Sequence, residues 1–335
     1  MAINGSTGDR RPETGNIAAL AEYVSHDLFA QFFWGTTGSW NQNWPCENER
    51  HKPRTTHPSD VVFYYDEPYI LRRTYLNCDL KSYATGSITT GAILTAIDNL
   101  AASLACMEIS DTWRRMYAHD GYSPFLCGLL FVYNHDGEYD KDFEHVLSAL
   151  NPEEIAIPKG SHIVILGPHQ IQWLDNVRYE MVYMRGTKEL PDAVHCRFGY
   201  PHLVRKKKVQ VEVAKAATIE MLTGPWITLE YDAVDGKKPG LLIFYHGCGA
   251  STEEFLYLID YLMHYQMLRP DTEIKVRTLE PDSNAAAFFG RAVKEYIENC
   301  AGGAEIGALL SAIDYRQINQ VHRSFSVVEV GMRNA

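Results

Sequence analysis

The chain has 335 residues, with 31 Lys+Arg against 42 Asp+Glu, a formal net charge of −11. With 46% hydrophobic and 22% charged residues, it is neither disordered nor fibrous, and it is long enough to bury a core without disulfide staples. The acidic balance argues against a protein that coats nucleic acid non-specifically, a mode that rests on neutralising phosphates with Lys and Arg; a local nucleic-acid site stays open.

Length suggests two domains of roughly 150 residues each. Met1 to Pro12 is polar and has no apolar stretch of a secretory signal. The most membrane-like run, Gly91 to Ile109, is interrupted by Asp98, Asn99 and Glu108, short of the ~18 uninterrupted apolar residues of a spanning helix. The seven cysteines are odd in number, scattered, and form no CxxC pair. That spacing predicts reduced thiols in a cytoplasm rather than a disulfide framework or a zinc site. A cytoplasmic protein without membrane contact is expected.

Apolar Ile17, Leu20, Val24, Leu28 and Phe32 recur at three- and four-residue steps and predict a helix over Asn16 to Phe33, broken by Gly35 and Gly38. Ser39 to Ser59, rich in Asn, Pro, Arg and His, reads as a long loop. Asp60 to Tyr65 is β-branched and aromatic and predicts a strand. Ile70 to Lys81 predicts the next. Its period of two puts Asp79 and Lys81 on one face and Leu80 in the core behind them. A helix over Ser87 to Met107, a strand over Phe125 to Tyr133 and an acidic surface helix over Asp136 to Leu150 follow.

The second half alternates again. Strands are predicted at His162–Leu166, Trp226–Tyr231, Leu241–Tyr245 and Glu273–Thr278, and helices at Gln170–Tyr183, Ser251–Leu268, Ala285–Asn299 and Ala304–Ile313. The pattern is α/β throughout, and no internal repeat is visible in the residues.

Hydrolysing a phosphodiester needs a divalent metal to polarise it and a cation to stabilise the developing charge. Magnesium prefers a few carboxylate oxygens with several retained waters. Two carboxylates on adjacent strands, with a lysine two residues beyond one of them, supply both. Asp60 stands at the start of one predicted strand, and Asp79-Leu80-Lys81 ends the next. The preceding amphipathic helix carries Glu22.

On these residues the chain resembles the PD-(D/E)XK nuclease superfamily, the restriction-endonuclease-like fold. Its elements stand in order within the first ~135 residues: the helix with Glu22, Pro58-Ser59-Asp60, Asp79-Leu80-Lys81, the helix after Gly86 and the strand ending at Tyr133. The family's Pro-Asp is split here by Ser59. Asp66 is an alternative first carboxylate, less suited because it sits beside the Glu67-Pro68 turn. The resemblance implies a mixed sheet flanked by helices over residues 1–150, followed by a second α/β domain over 151–335 for assembly, target binding or sensing. It implies Asp60, Asp79 and Glu22 as ligands of Mg2+ or Mn2+, with Lys81 positioning a water and stabilising charge. Asp27, Glu47 and Glu49 are substitutes for Glu22. The implied reaction is nuclease cleavage, expected on DNA, and by analogy in a prokaryotic antiviral defence or restriction system. The alternative is a catalytically silent nuclease-fold scaffold subunit, with Asp79 and Lys81 merely solvated.

Arg205-Lys206-Lys207-Lys208, with Lys215 nearby, is a solvated face or a weak nucleic-acid contact. So acidic a chain is expected to need a homo-oligomer or a partner protein for substrate capture. Phe32, Phe33, Trp34, Trp40 and Trp44 read as a packed lid or subunit contact, with base stacking as an alternative. The Gly-rich stretch His246 to Ser251 superficially matches the oxyanion loop of α/β-hydrolases, but the chain has no G-x-S-x-G. It reads as a turn with Ser251 or Thr252 capping a helix. His162 and His169 read as structural, while His51 and His57 lie in the loop ahead of Asp60.

Overall fold

The computed structural model describes residues 11–151, 153, 155–201, 214–299, 303–318 and 320–321. The basic run at Arg205 to Lys208 lies outside the described residues.

The first half comprises α1 (Arg11–Gln31), β1 (Gly35–Thr37), β2 (Gln42–Pro45), β3 (Thr56–Ser59), β4 (Val61–Asp66), β5 (Arg72–Tyr83), α2 (Thr90–Met107), α3 (Asp111–Tyr117), β6 (Ser123–Asn134) and α4 (Glu144–Ser148). Then come β7 (His162–Leu166), α5 (Pro168–Gly186), β8 (Cys196–Phe198), α6 (Ile219–Leu222), β9 (Trp226–Tyr231), β10 (Gly240–Tyr245), α7 (Thr252–His264), β11 (Glu273–Leu279), α8 (Ala285–Asn299), α9 (Gly303–Ser311) and β12 (Asp314–Ile318).

Among the described residues these strands form two five-stranded mixed sheets, besides the β2–β3 pair. The first has the order β1-β4-β5-β6-β7, antiparallel across its first two junctions and parallel across the last two. The second has the order β8-β9-β10-β11-β12 with the same sense at each junction. The two halves thus share a connectivity that no residue repeat announces.

Helices α1 and α5 bring the two sheets into one core. Leu20, Val24, Leu28 and Phe29 of α1 and Leu174, Val177 and Met181 of α5 pack with Phe63, Leu76 and Phe131 of the first sheet and Ile227, Leu229 and Leu242 of the second. The opposite face of the first sheet is covered by α2. Ile93, Ile97 and Leu100 meet Leu130 and Val132, while Leu104 and Met107 join Val62, Tyr75, Trp113 and Tyr117. By length and composition α2 is apolar enough to cross a membrane, yet half of it is buried within the protein. Gly128 of β6 lets α2 approach: a Cβ there would meet the Leu100 side chain at 2.9 Å.

Three sequence expectations need correction. Ser39 to Ser59 is not a plain loop, because β2 and β3 pair antiparallel around a 3-10 turn at Glu49–His51. Alternation of buried Trp44, His57 and Ser59 with exposed neighbours drives that hairpin, a signal masked by its Pro and Asn content. Asp136 to Leu150 is helical only at Glu144–Ser148. Upstream, Asp136 and Asn134 bond backbone N–H groups in competition with helix, and Gly137 takes φ 68°. The base-stacking alternative fails for Phe32, Trp34 and Trp44, all buried; Phe33 and Trp40 pack against the main core.

α1 ends at Gln31, four residues ahead of Gly35, the first glycine expected to break it. Phe33 adopts φ 64°, and the N–H of Trp34 returns to the carbonyl of Phe29 at 3.1 Å, a helix-terminating loop usually built on glycine.

Candidate active site

The antiparallel register of β4 and β5 pairs Val61 with Cys78. One step further along the same ladder, Asp60 comes opposite Asp79. The backbone of Asp60 is held on both sides: its N–H donates to the carbonyl of Cys78 at 3.2 Å, and its carbonyl accepts from the N–H of Asn41 at 2.8 Å. Its side chain is fixed too, since Oδ2 accepts from the N–H of Leu80 at 2.7 Å. Two residues along the strand from Asp79, on the same face, Lys81 brings Nζ to 2.6 Å from Asp79 Oδ1. Leu80 turns the other way and packs against the main core.

Glu22 reaches the same locality from α1. Its Oε1 accepts from Asn41 Nδ2 at 3.0 Å, so a single asparagine binds Glu22 through its side chain and Asp60 through its backbone. Asn41 adopts φ 54°, a left-handed conformation that asparagine tolerates better than most residues. Sequence reasoning missed it; the signal was an Asn in a Gly/Ser/Asn turn between two ordered segments.

The electrostatics are those of a crowded carboxylate site. Burial, against the Leu80 N–H and with the charges of Asp79 and Glu22, pushes the Asp60 carboxyl up to about 6. Burial works against the Lys81 charge, but the Asp79 carboxylate outweighs it and holds the ammonium above its usual pKa. The donor set fits a hard divalent cation such as Mg2+ or Mn2+: it offers carboxylate oxygens and carries more negative charge than Lys81 cancels. Asp60 and Asp79 each have one oxygen engaged, by Leu80 N–H and Lys81 Nζ, and a second oxygen left to bind a metal.

The other acidic candidates lie elsewhere. Asp66 is opposite Arg73 and forms a two-point ion pair with it, at 2.7 and 3.0 Å. It stands six residues along β4 from Asp60, roughly 20 Å at strand rise. Glu47 accepts from Ser110 at 2.8 Å, Glu49 pairs with Lys52, and Asp27 lies beside His26.

The corresponding ladder position in the second sheet carries no carboxylate pair. Trp226 pairs with Tyr245 there, and beyond them the N–H of His246 donates to the carbonyl of Pro225 at 2.9 Å. The His246 ring packs on Trp173 with centroids 4.1 Å apart, and Ser251 caps α7 by accepting from Glu254 N–H at 3.4 Å. The turn is thus a capping element, as the sequence indicated. His169 lies 3.2 Å from the carbonyl of Tyr139, a structural contact.

A mixed sheet with an aspartate and a D-x-K on neighbouring antiparallel strands, an acidic helix on one face and a crossover helix on the other defines a PD-(D/E)XK-type nuclease domain. Residues 12–170 match the family described as the GAPS4 protein PD-(D/E)XK nuclease domain. The N-terminal part of the chain is therefore a PD-(D/E)XK nuclease domain, and its function class is nuclease-like. No curated protein and no solved structure matches the chain.

Proposed function

We propose that the chain is a metal-dependent phosphodiesterase that cleaves DNA. The observation that carries this reading is the convergence of Asp60, Asp79 and Lys81 at one end of the β4–β5 hairpin, with Lys81 Nζ 2.6 Å from Asp79 Oδ1. Asp60 and Asp79 would hold Mg2+ or Mn2+, with Glu22 as a further ligand or as an acceptor that orients water. A bound divalent ion polarises the phosphate and lowers the pKa of a coordinated water. Lys81 donates hydrogen bonds to the water and to the phosphate oxygens, stabilising the charge that builds as the P–O bond breaks. Leu80 N–H and Asn41 keep Asp60 and Glu22 from turning away, so the site is organised before substrate arrives.

The remaining parts of the reading rest on composition and on analogy with where such nucleases act. The protein works in a cytoplasm, in antiviral defence or restriction, and its net charge of −11 calls for an oligomer or a partner protein to capture DNA. The second half, whose ladder carries Pro225 and His246 at the equivalent place, serves assembly, target binding or sensing.

The test is cleavage of supercoiled plasmid, linear DNA and RNA by wild type, Asp79→Asn and Lys81→Met, with magnesium and then with EDTA. Metal-dependent DNA cleavage by wild type alone is the expected result. Cleavage that survives both substitutions removes the site. A wild type inactive on every substrate with magnesium, and with manganese in its place, leaves the nuclease fold as a scaffold.

A further inference from the structure

We propose that Cys46, His51, His57 and Cys106 form a structural zinc site that clamps the β2–β3 hairpin to the C-terminal end of α2. Each side chain offers one donor atom, and all four donors lie within 4.8 Å of one another. Cys46 Sγ is 3.5 Å from Cys106 Sγ and 3.6 Å from His51 Nδ1. Cys106 Sγ is 3.2 Å from His51 Nδ1 and 3.1 Å from His57 Nε2. Zinc bonds of about 2.3 Å to sulfur and about 2.05 Å to nitrogen give a tetrahedron with edges of roughly 3.3–3.8 Å, so these separations are close to those a single ion imposes.

The chemistry of the donors selects the ion. Two thiolates and two imidazoles suit zinc and reject magnesium, which takes oxygen. Four protein donors complete a tetrahedron and leave no position for a substrate, which marks a structural site. His57 and Cys106 are fully buried, while Cys46 and His51 are half-buried, which leaves the ion a way in. Binding Zn2+ displaces one proton from each thiol to solvent.

The groups around the cluster prepare it for metal. Ser103 Oγ donates to the carbonyl of Asn99 at 3.1 Å, so at its 3.2 Å contact with His57 Nδ1 it accepts the ring N–H. That fixes the tautomer and leaves the Nε2 lone pair facing the sulfur, the arrangement typical of a metal-bound histidine. Trp44 covers the His57 ring, with centroids 4.9 Å apart. The Asn48 side chain meets His51 Nε2 at 3.2 Å.

The clamp lies next to the strand that delivers Asp60. Trp44 Nε1 donates to Ser59 Oγ at 3.0 Å, and Ser59 precedes Asp60. Zinc would therefore hold the hairpin in register without touching the reacting phosphate, and the proposal stands independently of the nuclease reading. Spacing hid the cluster: His51 follows Cys46 by five residues and His57 follows His51 by six, and Cys106 comes 49 residues after His57.

The test is metal analysis of the full chain purified under reducing conditions without added metal. About one tightly held zinc per chain is expected, retained in the Asp60→Asn/Asp79→Asn double variant. Cys46→Ser and His51→Ala, at half-buried positions, should each lower the zinc content roughly tenfold. A readout that needs no variant is cobalt(II) exchanged into wild type, which should give the intense visible bands of a tetrahedral site and a thiolate charge-transfer band. Two results would overturn the proposal: a wild type with free thiols that takes up neither zinc nor cobalt, or zinc content unchanged in the Cys46→Ser/His51→Ala variant.

Discussion

The N–H of Leu80 donates to Asp60 Oδ2 at 2.7 Å, so the residue between Asp79 and Lys81 anchors the carboxylate of the neighbouring strand. The D-x-K triplet thereby contributes all three members to one site: two side chains forward and one backbone N–H sideways. A strand can do this because its side chains alternate while its N–H groups lie in the sheet.

Removing either half of the Asp79–Lys81 pair is expected to separate catalysis from stability. Asp79→Asn and Lys81→Met are expected to lower the rate of DNA cleavage at saturating magnesium about 100-fold or more. The pair is partly exposed, with side chains 19% and 32% accessible, so unfolding free energy should move by no more than about 1 kcal/mol. Parallel cleavage assays and urea titrations measure both.

Asn41 makes a narrower test. Asn41→Gly keeps the left-handed backbone and the N–H bond to Asp60 but releases Glu22. Activity should fall roughly tenfold, the magnesium needed for half-maximal rate should rise, and stability should change by about 0.5 kcal/mol or less. Asn41→Ala should lose a further ~1 kcal/mol to strain at φ > 0. An unaltered magnesium dependence in Asn41→Gly would remove Glu22 from the site.

Ser59 joins the hairpin to the sheet by accepting from Trp44 Nε1 and donating to Asn77 Oδ1, and all three residues are buried. Ser59→Ala strands a donor and an acceptor and should cost about 1–3 kcal/mol, read as a lower denaturation midpoint at unchanged m-value.

Asp136 sets an acid limit on stability. Burial works against its charge, but N–H groups of Thr85 and Glu138, the Thr85 hydroxyl and the Asn134 amide hold its carboxyl down at about 2. A folded pKa below the unfolded value stabilises the fold above the unfolded pKa and is lost as pH falls through the folded one. Wild type should exceed Asp136→Asn by about 1 kcal/mol at neutral pH. That gap should hold down to pH ~4 and close on approach to pH 2. Denaturant unfolding of both proteins across that range measures it; a gap independent of pH would show that the charge is not what stabilises the turn.

Much of the candidate site's geometry was readable because it is local. The alternation in Ile70 to Lys81 placed Asp79 and Lys81 on one face and Leu80 behind them, and pairing with the adjacent run made Asp60 their neighbour. In the second half β9, β10, α7 and α8 were equally legible, because each carries its own periodicity, while the short β8, α6 and β12 were not predicted.

Contacts between distant segments were not readable. Asn41 lay in a stretch whose Pro, Asn and Gly content hid a hairpin, and the cluster of Cys46, His51, His57 and Cys106 depends on where the far end of α2 comes to rest. Nor could residues reveal that the two sheets share a connectivity, since strand order follows hydrogen bonding rather than residue identity. Periodicity along one segment sets which side chains face together, so it carried the fold class and the D-x-K face. Which faces meet is set by packing α1, α2 and α5 against the sheets, a property of the assembled core, and it brought Glu22 and Asn41 to Asp60. The net charge of −11 shows the same division. Composition supplied the acidity, and the fold gathered Glu22, Asp60 and Asp79 around one lysine, where that acidity can hold a cation.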